Sequence, residues 1–212
     1  MIFLVTVDQV YSRKLYRFTK REFAEHLIQR GEISFGCALS YPNELLTEAQ
    51  RDDETLKSSA FTSQKYAISV GPDRNNMVQV HFEQTTMSIN LKPYYLYSLT
   101  TKFDPKFFEE FNCDTCVVIE NPEEFLKRFD HVFSRQGFPR STWAHGRAQY
   151  FDEKSPVPHE ISQYPYFLKR RFFGWQKEYR MTYVTPDGFV ISDPNSRQNI
   201  YLDDISDIAR IL

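Results

Sequence analysis

The 212-residue sequence predicts a single α+β domain over 1–212, with a mixed or antiparallel sheet flanked by helices. Strand-like segments outnumber helical ones, and the two are interspersed without the regular alternation of a parallel βα repeat. No internal repeat and no Gly/Ser linker divides the chain. An apolar fraction of 41% with 16% aromatics supplies enough buried surface for one core and excludes an intrinsically disordered chain.

The elements follow in order. Met1–Val7 reads as a first buried strand, because it lacks the basic start and small-residue cleavage site of a signal peptide. After a strand at Leu15–Phe18, Thr19 and Glu22 have the spacing of a capping box. Phe23, Ala24, Leu27 and Ile28 then recur on one helical face, and Gly31 offers a left-handed C-cap. A second helix opens at Asn121-Pro122-Glu123-Glu124, with a cap residue, proline at the first helical position and acid in the first turn. It buries Phe125, Leu126, Phe129, Val132 and Phe133 and ends at Gly137. A short helix from Asp104-Pro105 buries Phe107, Phe108 and Phe111, and a last one places Ile205, Ile208, Ala209 and Leu212 at helical spacing.

Further strands are predicted at Ile33–Phe35, Met77–Gln84, Tyr94–Leu99, Cys116–Glu120, Ala148–Phe151, Trp175–Tyr183 and Phe189–Ile191. Pro42–Gln64 and Pro156–Tyr164 show no periodicity and read as long polar loops, a kind that is usually functional or mobile.

Charge excludes several classes. Net charge is −2, so no global basic field advertises nucleic acid. Three cysteines cannot close a disulfide framework, which fits a reducing, cytoplasmic setting. Cys113 and Cys116 form a lone CxxC with only Cys37 left over, and no two histidines have metal-binding spacing, so no metal site is expected. The sequence holds no GxGxxG, P-loop or GxSxG motif.

Two stretches carry chemistry. Between Gln163 and Arg180, the cations Lys169, Arg170, Arg171, Lys177 and Arg180 interleave with seven aromatics. Cations that track phosphate and rings that stack bases suit single-stranded nucleic acid, with a solvated strand face as the alternative. Within Trp175–Tyr183, period 2 places Gln176, Glu178, Arg180 and Thr182 on one face. A carboxylate flanked by an amide and a guanidinium is a candidate site, and a salt-bridged edge strand is the other reading.

The order Lys14-Leu15-Tyr16-Arg17-Phe18, a helix, Gly31–Gly36, Tyr41, Arg51-Asp52-Asp53-Glu54 and Gln176-Lys177-Glu178-Tyr179-Arg180 resembles the ADP-ribosyltransferase superfamily. It is most similar to the divergent DarT-like and CmdT-like toxins of bacterial toxin–antitoxin and phage-defence systems. The resemblance implies a split sheet, NAD as co-substrate without metal, a nucleic-acid acceptor with RNA favoured over protein, and an antitoxin partner. It implies Glu178 as the catalytic carboxylate with Gln176 in a Q-x-E pattern. Arg17 with Tyr16 would hold NAD, Ser34 or Tyr41 would supply the second element, and Tyr41 or Phe35 would stack on nicotinamide. Lys169, Arg170 and Arg171 would bind the acceptor. Two alternatives accompany this reading: an NAD glycohydrolase, and an inert nucleic-acid- or partner-binding module on the same scaffold.

Overall fold

The computed structural model describes residues 13–41, 46–69, 77–137, 142–155, 164–185 and 191–212, and of 59–69 and 77–87 the backbone alone. The expected strand Met1–Val7 lies outside the described residues, as do most of Pro156–Tyr164 and Phe189–Ile191. In chain order the elements are β1 (Leu15–Thr19), α1 (Arg21–Arg30), β2 (Glu32–Cys37), β3 (Leu56–Ser69), β4 (Met77–Asn90), β5 (Tyr95–Thr100), α2 (Lys106–Glu110) and β6 (Thr115–Ile119). There follow α3 (Pro122–Arg135), β7 (Trp143–Arg147), β8 (Gln149–Phe151), β9 (Leu168–Arg170), β10 (Glu178–Tyr183), β11 (Arg197–Tyr201) and β12 (Ala209–Ile211). The fold is α+β, built on a mostly antiparallel sheet flanked by few helices.

Eight strands form the main sheet, and every pairing within it is antiparallel. Its organising strand is β5. Along one edge β5 pairs with the whole of β10, from Glu178↔Thr100 to Tyr183↔Tyr95. Its other partners are β2 at its start, through Gly36↔Leu96 and Cys37↔Tyr95, and β1 at its end, through Tyr16↔Thr100. Tyr97, Ser98 and Leu99 pair with neither β1 nor β2, so the sheet divides there, with β2–β11 on one side and β1–β6–β12 on the other.

Strand alternation then sorts the two faces. Ile33, Phe35, Tyr95, Tyr97, Leu99, Tyr179, Met181 and Tyr183 face the main core, against Ala24 and Leu27 of α1 and Phe125, Phe129 and Phe133 of α3. Ser34, Gly36, Leu96, Ser98, Thr100 and Glu178 take the opposite face. One face is the main core, and the other carries the polar groups Ser34, Ser98, Thr100 and Glu178 among apolar neighbours such as Leu96.

Local signals explain α3. The Asn121 side chain accepts from the Glu124 amide at 3.1 Å, Pro122 occupies the first turn, and Gly137 takes φ 79° just past the end. The start of α1 differs from the expected capping box. Thr19 is the last residue of β1 and Lys20 is the N-cap without a side-chain bond, while Asp114 accepts from the Arg21 amide at 2.8 Å. Phe23 is 56% exposed rather than buried, because the core-facing stripe of α1 runs through Ala24 and Leu27. Gly31 closes α1 at φ 58°, with the Asp203 carbonyl 2.5 Å from where a Cβ would stand, so only glycine fits.

The expected C-terminal helix is instead a turn followed by β12, which pairs with β6. The Asp204 carboxylate caps the Ser206 amide, and the edge of β6 supplies backbone partners that a helix would leave unused. The expected loop Pro42–Gln64 includes most of β3, which forms a separate ribbon with β4. Ala148–Phe151 divides into the end of the segment after β7 and β8, and β8 pairs in parallel with β9.

Candidate active site

The division in the sheet opens onto a cavity of about 240 Å³. Arg17, Tyr16, Ser34, Tyr41, Gln176 and Glu178 all line it, although Arg17 and Glu178 stand far apart in the chain. The floor is β5: Leu96, Ser98 and Thr100 follow one another at every second position.

Arg17 bridges the division. Its Nη1 donates to the Ser98 carbonyl at 2.5 Å, and its guanidinium lies 4.5 Å over the Tyr97 ring. Tyr41 sits near the Gly36 end, where burial, the largest influence, holds its hydroxyl up to about 12, so it stays a donor at neutral pH.

Glu178 is 4% exposed and its carboxylate is saturated. Oε1 accepts from Ser98 Oγ at 2.6 Å and from Arg180 Nε at 3.2 Å. Oε2 accepts from Lys169 Nζ at 2.6 Å and from Arg180 Nη2 at 3.3 Å. Burial alone would raise its pKa, but Arg180, Lys169 and Ser98 outweigh it and hold the carboxyl well below the usual range. Glu178 is therefore held as an anion at neutral pH.

Behind it lies a buried charge cluster that the sequence reading missed. Arg180 is 0% exposed and forks onto Glu54, with Nη2 to Oε1 at 2.7 Å and Nη1 to Oε2 at 2.9 Å. Lys57 and the Tyr94 hydroxyl also donate to Glu54 Oε2, at 3.0 and 3.2 Å. Arg170 Nε donates to Asp52 Oδ1 at 2.8 Å, while Asp52 Oδ2 has no hydrogen-bond partner and faces Lys57 Nζ at 3.7 Å. The clue was the Asp52-Asp53-Glu54 run, whose arginine partners 118 and 126 positions later only the fold reveals.

Several expectations need correction. Phe35 is 1% exposed and packs on Tyr97 and Phe129 in the core, because odd positions of β2 face away from the cavity. It cannot stack on a ligand there. The strand expected from Trp175 starts at Glu178, since Arg171–Gln176 forms a 3-10 turn and Lys177 takes φ 47°. Gln176 and Glu178 still line the same cavity, but Gln176 Nε2 is bound to the Ala49 carbonyl at 2.6 Å. Lys169 is not a solvated cation for an acceptor, because the buried Glu178 carboxylate claims it. Arg170 serves Asp52, leaving Arg171 as the exposed member of that trio, 3.8 Å from Asp152.

Among the described residues no group of three or more His, Cys, Asp or Glu is placed to hold a metal. Burial, the largest cause, pushes the Cys116 thiol up to about 12. No described helix is long and apolar enough to cross a membrane. Compared with protein-family models, curated proteins and solved structures, the chain matches none.

Proposed function

We propose that this protein is an NAD-dependent ADP-ribosyltransferase acting on a macromolecular acceptor. The observation that carries the reading is the convergence of Arg17, Ser34, Tyr41 and Glu178 on one cavity where β1 and β2 part. These are the positions the sequence resemblance assigns to NAD. The cavity is slightly below the ~300–1,000 Å³ of typical ligand sites, so it takes the nicotinamide–ribose half of NAD while the adenylate lies towards its mouth.

In this reaction the bond from ribose C1′ to nicotinamide breaks and the acceptor's nucleophile takes C1′, releasing nicotinamide and a proton. Positive charge develops on the ribose, and a fixed carboxylate beside it stabilises the transition state. Glu178 suits that electrostatic role because Arg180, Lys169 and Ser98 favour its ionised form. It does not suit proton abstraction, so the acceptor proton leaves by another route. Ser98 and Lys169 fix the carboxylate in place and limit its reorganisation.

The acceptor in this reading is nucleic acid, with RNA favoured. Its support is the exposed group Arg171, Phe172, Trp175 and Lys177 beside Gln176, which combines cations with stacking surfaces. The toxin role and an antitoxin partner rest on the sequence resemblance.

Incubation with NAD labelled in its adenylate, together with RNA or with protein, tests the proposal. Label on RNA is the expected result. Release of nicotinamide with no labelled acceptor makes the protein a glycohydrolase, and no turnover with any acceptor sinks the enzymatic reading.

A further inference from the structure

Arg197 opens β11 directly across from Gly36 and lines the cavity, yet nothing in the sequence singled it out. Gly36 has no side chain on the cavity face. The space a Cβ would take there lies 3.8 Å from the Tyr41 hydroxyl oxygen and 4.0 Å from Arg197 Nη1. Two donors therefore converge over bare backbone, where a ligand can approach closely.

The charge environment says what kind of ligand. Two arginines line the cavity, Arg17 and Arg197. Among the described residues Arg197 has no carboxylate within 4.0 Å, and it is exposed. Arg17 also has no carboxylate partner, but its Nη1 is spent on the Ser98 carbonyl and its guanidinium face lies on the Tyr97 ring. A guanidinium fork with its donors available, beside a hydroxyl donor, matches the oxygens of a phosphate ester.

We propose that Arg197 and the Tyr41 hydroxyl, meeting over Gly36, grip the diphosphate of the bound dinucleotide, while Arg17 holds the divided sheet in shape. This rests on the NAD reading and gives the phosphates to Arg197, where the resemblance gave NAD binding to Arg17 with Tyr16. It also sets the ligand's direction, with the diphosphate at the Leu96 end of β5 and the ribose at Ser98 and Glu178.

Calorimetry with ADP-ribose and with nicotinamide riboside, which lacks phosphate, tests it. Arg197→Ala is expected to weaken ADP-ribose about 10–100-fold, the size of a charge-assisted hydrogen-bond pair, and to leave nicotinamide riboside unchanged. Arg197→Lys, which keeps charge but loses the fork, is expected to fall in between. Gly36→Ala meets only ordinary contacts, so it is expected to melt like wild type while its methyl group weakens ADP-ribose. Wild-type ADP-ribose affinity in both Arg197→Ala and Gly36→Ala overturns the inference, as does a wild-type protein that binds no ADP-ribose. Arg197-dependent binding without label transfer upholds the grip and removes the transferase reading. Transfer by Arg197→Ala at an unchanged KM for NAD does the reverse.

Discussion

In the proposed reaction Glu178 would combine a catalytic and a structural role, which a single substitution confounds. Its charge faces the cavity, and the same charge neutralises Lys169 and Arg180 in the interior. Glu178→Gln therefore leaves buried cations short of a partner, which typically costs about 3–5 kcal/mol. For a chain of this size that is roughly 10 °C in melting temperature. Transfer should fall ~10²–10³-fold, as when one preorganised group is lost. The double variant Glu178→Gln/Lys169→Met removes one charge of each sign, and Arg180 keeps Glu54. It should recover much of the lost melting temperature and none of the activity. Scanning calorimetry and a transfer assay on both variants separate the effects, and activity that returns along with stability would leave Glu178 a purely structural residue.

At the scale of elements, the ribbon β3–β4 is set apart. Its strands pair with each other over 14 residues and with no other described strand, a length of roughly 45 Å at ~3.3 Å per residue. Its base is different, because Glu54 and Lys57 belong to the charge cluster. Replacing 59–87 by Asn-Gly closes the ladder at Ser58↔Ser88 with a two-residue turn and keeps that base. The shortened protein should melt within a few degrees of wild type, and loss of a cooperative transition would show that the ribbon belongs to the fold. The sequence hid β3 because its polar residues, Ser58, Ser59, Thr62 and Ser63, fall on both parities and blur the period of 2. Conversely, α3 was legible because cap, proline and apolar stripe are local signals. Ile205–Leu212 fits either period, and the free edge of β6 decided it. Arg17 and Glu178 were singled out from motif order, and both line the cavity. Arg197 and Glu54 were not, since their places depend on pairing across the sheet.

The charge cluster also ties the whole molecule to pH. Arg180, Glu54, Lys57, Asp52, Lys169 and Glu178 are at most 6% exposed and join the start of β3, with the segment before it, to β9 and β10. Although burial pushes the other way, Arg180 with Lys57 lowers Glu54, and Arg180 with Lys169 lowers Glu178. Carboxyls lowered in the folded state hold fewer protons than in the unfolded chain, so their contribution is present above the ordinary value of 4.5 and is lost as pH falls below it. Burial and then Glu54 raise Asp52, which opposes this but is one group against two. His145 acts at higher pH. Its Nδ1 lies 2.6 Å from the Tyr179 hydroxyl, and burial, against a small pull from Asp130, lowers it from 6.5 to about 4. Between those values the unfolded chain takes a proton that the folded protein refuses, so stability falls as pH drops through that window. Melting temperature should therefore decline in two stages, gently from pH 6.5 and steeply below 4.5. In His145→Asn, which keeps a polar atom near Tyr179 but cannot titrate, the first stage should vanish and the second remain. A melting temperature flat from pH 7 to 3, or a first stage unchanged in His145→Asn, contradicts the assignment. The second stage should also survive 0.5 M salt better than a surface effect would, because buried pairs are little screened.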